Sequence, residues 1–463
     1  MQGRQQKTYI DGIDFKSIFQ FQSIFGAIAS SFQPVRITIG LLMVLVIFAA
    51  GRMWDSTSTP LSDSWTSSES VHELEEQRML TIAKIATAFG HSAPAGSNKW
   101  AFSDAQTYLI ESWEDYVYEG NVSDADMLEY QQLYELTEQL KPRGVFESSC
   151  LYIAHHWNAL IDGALDLNFS VMWKSVVAIV WEYPILVWQS GHHWFISLFG
   201  FLLIFTLCIG GGAISRMQAC QFARQSQLSI DEALTYSWSQ WRPAVLAVVS
   251  PAMFVAGISI LLMLAGLVLF SIPIINVIGS LLYGLALIFG LCIALISIFY
   301  AVSFPMLVPA VMVEHCSGGE SVQRAFSYVI ARSLQYLTYL LLLVIAMVIG
   351  FVFVRLVATL TLDVTAALVG SMTLNDSLLN AGAIQPLSTP ATGLAWYEQA
   401  GSAVISCWEI IVHDCMIGWV FSGFFSASTM VYLLMRRACD GQSTKEIWTE
   451  GLIPGTNIPM NDE

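Results

Sequence analysis

Long apolar runs dominate this chain, and the polar residues between them fall at spacings that predict helices rather than strands. Runs at about 194–214, 244–270, 277–302 and 334–360, one at 37–51 that Met53 and Trp54 extend, and a last one within 404–434 predict six membrane spans. Arg36 and Arg52 flank the first of these, and their side chains can snorkel towards the two interfaces. The stretch before it is far longer than the charged region of a signal peptide, so this span is read as an uncleaved anchor. Residues 9–33 repeat Ile and Phe among few charges, as an interfacial helix would. Residues 168–188 are apolar but interrupted by Lys174, Glu182 and Pro184, and carry Trp173, Trp181, Tyr183 and Trp188; this suits an in-plane or re-entrant segment.

Between 55 and 166 the pattern changes to that of soluble helices, expected at 70–89, 103–118, 123–140 and 145–165. The breaks are 90–99, Gly120 and the turn Lys141-Pro-Arg-Gly144. About a hundred residues suffice for a modest core.

Two short stretches say nearly the same thing. Residues 229–243 read SIDEALTYSWSQWRP and 317–334 read SGGESVQRAFSYVIARSL. Each opens Ser-x-x-Glu (Ser229/Glu232 and Ser317/Glu320), the reciprocal arrangement that satisfies orphan N–H groups at a helix start. Each then carries aromatic, Ser, aromatic, three residues and Arg, with apolar residues at helical spacing, and leads into a long apolar run. The expectation is an amphipathic surface helix, repeated.

Composition sharpens this picture. With 55% hydrophobic and 12% charged residues the chain is too apolar for an ordinary soluble domain. The net charge of -16 sits unevenly: 55–166 holds nineteen Asp or Glu against five Lys or Arg, which argues against nucleic acid as a partner. The eight cysteines form no C-x-x-C, so neither a disulfide framework nor a zinc site is indicated; Cys150 with Cys407 is the one conceivable pair outside the cytoplasm. No cofactor is implied.

The fold class is therefore all-α: a polytopic helical membrane protein with about six transmembrane helices, two amphipathic surface helices in an internal repeat, and a helical extracytoplasmic insertion. The division is 1–54 (interfacial helix and anchor), 55–167 (acidic helical domain), 168–440 (membrane bundle) and 441–463 (tail). The Lys and Arg bias near the span ends puts both termini and both repeats in the cytoplasm and 55–167 outside. Long loops translocate regardless of charge, so the basic residues of that domain do not contradict this. A bacterial inner membrane fits.

The order of features also resembles something known. GGGAISRMQACQFAR (210–224), the capped helix, SFPMLVPAVMVE (303–314), RAFSYV (324–329) and FSASTMVYLLMRRACDG (421–441) look like a group of bacterial polytopic membrane proteins. These are distantly similar to the membrane domain beside some glycerophosphodiester phosphodiesterases and to Yip-type membrane domains. The resemblance covers roughly 141–441 and implies a helical membrane bundle. It carries no catalytic residues, because the phosphodiesterase activity belongs to a separate soluble barrel.

Two constellations are candidates for function. Arg216, Arg224, Arg242, Arg324 and Arg332 make a basic rim that could bind anionic lipid headgroups, or that only follows the positive-inside bias. Glu409 and His413 are four apart on one helical face with Asp414 adjacent; they form either a buried proton or cation relay or an interfacial polar cluster. Neither His155-His156 nor His192-His193 has good geometry for joint metal binding, since adjacent helical residues diverge by about 100°. Pro305 and Pro309 are expected to break the fourth span, and Gly210-Gly-Gly212 to permit close packing. No nucleophile elbow, phosphate loop or dinucleotide fingerprint is present.

The leading expectation is a non-enzymatic membrane protein that organises lipid or other membrane proteins, with extracytoplasmic proteins as further partners of the acidic domain. The alternative is a transporter with a site between the parallel repeats. Against it, only Arg355 is ionised within the clear spans.

Overall fold

The apolar runs become helices in the computed structural model, which describes residues 22–57, 71–88, 102–118, 124–139, 144–271, 275–372 and 396–448. Most of the interfacial stretch 9–33 before Gln22, the connectors 90–99, Gly120 and 141–143, most of the loop 361–401 and the end of the tail lie outside the described residues. Every regular element among those described is a helix. In order they are α1 (Gln22–Ser31), α2 (Pro34–Thr57), α3 (Val71–Ala88), α4 (Phe102–Tyr118), α5 (Asp124–Gln139), α6 (Val145–Leu165) and α7 (Phe169–Gln189). There follow α8 (Phe195–Arg224), α9 (Ile230–Ser239), α10 (Trp241–Ser271), α11 (Ile275–Glu314), α12 (Gly318–Ala331), α13 (Ser333–Gly370) and α14 (Trp396–Asp440).

Seven of these, α2, α7, α8, α10, α11, α13 and α14, are long and apolar enough to cross a membrane. The chain is an all-helical integral membrane protein. The count exceeds the six read from the sequence by α7, whose interruptions do not stop the helix. A π turn at Ala178–Glu182 precedes Pro184, and such a turn absorbs the backbone bond that proline cannot make.

The chain divides into two units, the first formed by the described residues within Met1–Val44, Ile204–Val354 and Cys415–Glu463. Here α10 and α11 make an antiparallel pair, with contacts running from Leu269 and Gly279 to Val248 and Tyr300, whose hydroxyl donates to the Val248 carbonyl at 2.7 Å. Helix α11 is not broken at Pro305 and Pro309 as the sequence suggested; it runs on to Glu314. Pro305, Pro309 and the residues from Met306 to Val313 are buried, although Phe304 is exposed, and hydroxyls of Tyr336 and Ser321 donate to the Val302 and Leu307 carbonyls of this stretch at 2.5 and 2.7 Å. Packing of the buried face thus holds a helix that two missing N–H groups would weaken.

Small residues let the helices of this unit approach closely. A side chain at Gly40 would run into the backbone of Gly418, one at Gly211 into the ring of Phe425, and one at Gly350 into Trp419. Trp419 is buried beside Phe32, with ring centroids 5.3 Å apart. Arg36 does not snorkel: its side chain is fully buried among Ser30, Gln218, Gln221 and Ser426.

The second unit comprises the described residues within Leu45–Leu203 and Arg355–Asp414. Helices α3, α4 and α5 match the expected soluble helices and bury Ile85, Leu109, Trp113, Tyr130 and Leu133, with Trp113 stacked on Tyr130 at 4.7 Å. Asp55, at the end of α2, accepts from the Phe146 and Glu147 amides at 2.9 and 3.0 Å, so its carboxylate caps α6 from another helix. This replaces the side-chain cap that Gly144 cannot supply.

Candidate functional site

The charged side chains of the first unit gather where α11, α12 and α14 meet. Glu314, the last residue of α11, accepts from Arg436 at 3.3 Å and from the Tyr432 hydroxyl at 2.6 Å, and pairs with Arg324 through its other oxygen. Arg324 is held a second time by Glu320 at 2.7 Å, one turn earlier on α12. Tyr328 donates to Asp440. Burial, reinforced by that carboxylate, raises the Tyr328 phenol above its ordinary value and keeps it a donor.

Beside this network lies an aromatic and cationic cluster. Arg216 is buried; it donates to the Met312 carbonyl at 3.2 Å and the Trp448 carbonyl at 2.9 Å and lies 4.2 Å over the Tyr236 ring. Burial pushes the Tyr236 phenol up to about 12, although Arg216 pulls the other way. His315 has a left-handed backbone (φ 54°) that ends α11 and turns its ring flat against Trp448, with centroids 4.0 Å apart. Its two ring nitrogens face the Tyr236 hydroxyl at 3.4 Å and Gln240 at 3.2 Å. The segment after α14 closes the cluster: the Trp448 N–H donates to Val313, and Arg436 donates to the Ser443 and Glu446 carbonyls.

The five arginines of the expected rim therefore divide. Arg216 and Arg324 are engaged inside the protein, whereas Arg224, Arg242 and Arg332 are exposed and in no ion pair among the described residues. Sequence reasoning missed Glu314, Arg436, His315 and Trp448 as members of one cluster. Their separation along the chain hides it, and the only local signal was the acidic end of the SFPMLVPAVMVE stretch.

No match to the chain is found among protein-family models, curated proteins or solved structures.

The two capped helices differ in detail. Ser229 and Glu232 form the full reciprocal box, with the Ser229 N–H donating to the Glu232 carboxylate at 3.0 Å. At α12 Ser317 accepts from the Glu320 amide, but the Glu320 carboxylate turns to Arg324 instead. A half-buried arginine draws it away from the backbone donor.

Glu409, His413 and Asp414 sit on one stretch of α14, in the second unit. The His413 Nδ1 lies 3.0 Å from the backbone carbonyl of Glu409, while Asp414 is buried and Glu409 half-buried. His155 and His156 have rings at 78° to one another. Among the described residues no group of three His, Cys, Asp or Glu is arranged to hold a metal ion. All eight cysteines are thiols, and burial raises those of Cys150 and Cys316 to about 12, well above a reactive range.

Proposed function

We propose that this integral membrane protein is a non-catalytic organising or accessory subunit, and that Arg224, Arg242 and Arg332 engage anionic lipid headgroups on the cytoplasmic face of a bacterial inner membrane. The observation that carries the reading is the division of the rim: three guanidiniums remain exposed where two neighbours on the same helices or loops are consumed internally. An exposed arginine at a membrane surface gains roughly 1 kcal/mol from an anionic leaflet. In this reading the acidic helices α3 to α5 lie on the other side and offer a surface to other proteins, and the distant likeness to Yip-type membrane domains belongs to the same picture.

The test is lipid analysis of the protein purified in mild detergent from membranes containing phosphatidylglycerol and phosphatidylethanolamine. The wild type should retain phosphatidylglycerol in excess over the bulk membrane, and the triple variant R224Q/R242Q/R332Q should lose that excess. Equal retention by both removes the three arginines from the reading.

A further inference from the structure

We infer that Arg36 is the centre of a binding site for a small inorganic anion of the halide class, within the first unit. This inference does not rest on the lipid-headgroup reading. Arg36 is 0% exposed, and every partner it has is neutral. Its Nη1 donates to the Ser30 hydroxyl at 2.9 Å, to Ser426 at 3.2 Å and to the Gln218 side-chain oxygen; its Nη2 donates to Gln221. Its Nε is buried and has no acceptor.

The contrast with the other cations engaged within the unit is direct. Arg324 and Arg436 each reach a carboxylate, and Arg216, which does not, spreads its charge over two carbonyls and two aromatic rings. Arg36 has none of these, and it sits in the first turn of α2, where the helix dipole adds positive potential. Taking a guanidinium out of water costs several kcal/mol unless an opposite charge accompanies it. Amide and hydroxyl dipoles orient around a charge but do not neutralise it.

The lining also suits an anion. Serine hydroxyls rotate between donating and accepting, and glutamine presents either an oxygen or an NH2 group to the same point. The ring that now turns oxygens to Arg36 can therefore turn donors to an anion lodged against the Nε. One turn before Gln218, on the same face of α8, the Ser215 hydroxyl is fully buried and without a partner, a further donor in reserve. Arg36 and Ser426 are at 0% exposure and Gln218 is buried, while Ser30 and Gln221 are half-buried and form the edge towards water, so the position beside the Nε suits a single compact ion rather than a phosphate or a lipid headgroup.

The experiment compares thermal unfolding of the purified protein in chloride, bromide and gluconate at equal ionic strength. A compact anion that binds only the folded protein raises its melting temperature, and the expected rise in chloride or bromide over gluconate is about 2–5 °C. R36Q should lose this response, while R332Q, which alters an exposed arginine, should keep it. An identical melting temperature in all three salts, or an undiminished halide response in R36Q, overturns the site and makes Arg36 a structural clamp. Should R36Q fail to fold, bromide anomalous scattering from wild-type crystals decides: a peak within hydrogen-bond reach of the Arg36 guanidinium supports the site, and its absence there refutes it.

Discussion

Glu314 and Arg436 pair at 3.3 Å with only 3% of the arginine side chain exposed, and the same carboxylate also serves Arg324 and Tyr432. One acidic residue thereby ties three helices together, at the end of α11, the middle of α12 and the last turns of α14. Replacing it with Gln leaves the Arg436 guanidinium buried without a counter-charge, a loss of about 3–5 kcal/mol. Unfolding in detergent should show this for E314Q, and the double variant E314L/R436M should recover most of it, since removing both charges is far milder than removing one.

The crossing of α2 and α14 at Gly40 and Gly418 has no room for a side chain. G40V should abolish folded protein, seen as loss of a monodisperse peak in size-exclusion chromatography. G257A, where an added methyl meets nothing within 4 Å, should behave as the wild type, within about 0.5 kcal/mol.

Helix starts α9 and α12 should respond differently to the same change. S229A and S317A should each cost about 1 kcal/mol through lost capping. E232Q and E320Q should diverge, because Glu320 also holds Arg324. The N–H and hydroxyl of Ser229 keep the Glu232 carboxyl below its ordinary range. Its folded value is thus lower than its unfolded one, so its contribution is full above the ordinary carboxylate range and vanishes as pH falls through the folded value. A pH series of unfolding between about pH 3 and 6 should show a slightly flatter slope for E232Q than for the wild type.

If Glu409 and His413 are an interfacial pair rather than a relay, E409Q/H413N should shift stability by no more than about 0.5 kcal/mol. A pH-dependent transport signal lost in this variant would instead favour the transporter reading.

Topology is open to a cysteine-labelling scan. Under the proposed topology, cysteines placed at Gln227 and Gly318 should react from the cytoplasmic side and one at Asp104 from the other, in keeping with the bias of Lys and Arg near the span ends. Labelling of Gln227 and Asp104 from the same side would refute the assignment.

Where the fold was legible in the sequence, the signal was local. Helix α6 is found over the range that its flanking Gly144 and Asp166 suggested, and the Ser-x-x-Glu openings mark the starts of α9 and α12 because a cap acts within one turn. Helix ends were harder. Pro305 and Pro309 read as a break, yet the packing of Met306 to Val313 against neighbouring helices outweighs the lost backbone bonds. The site was least legible, because Arg216 looks from its sequence neighbours like any basic residue at a span end, and its partners Met312 and Trp448 are far along the chain.

Arg216 and Trp448 are 232 residues apart. At a synthesis rate of roughly 5–20 residues per second, on the order of 10–50 s pass between the two leaving the peptidyl-transferase centre. For that interval Arg216 and, more briefly, Arg436 lack the carbonyls that Trp448, Ser443 and Glu446 later supply. Closure of the cluster thus waits for the segment that follows α14. A chain cut short before residue 443 would carry all seven long apolar helices of the described residues and still leave this end of the first unit unsealed.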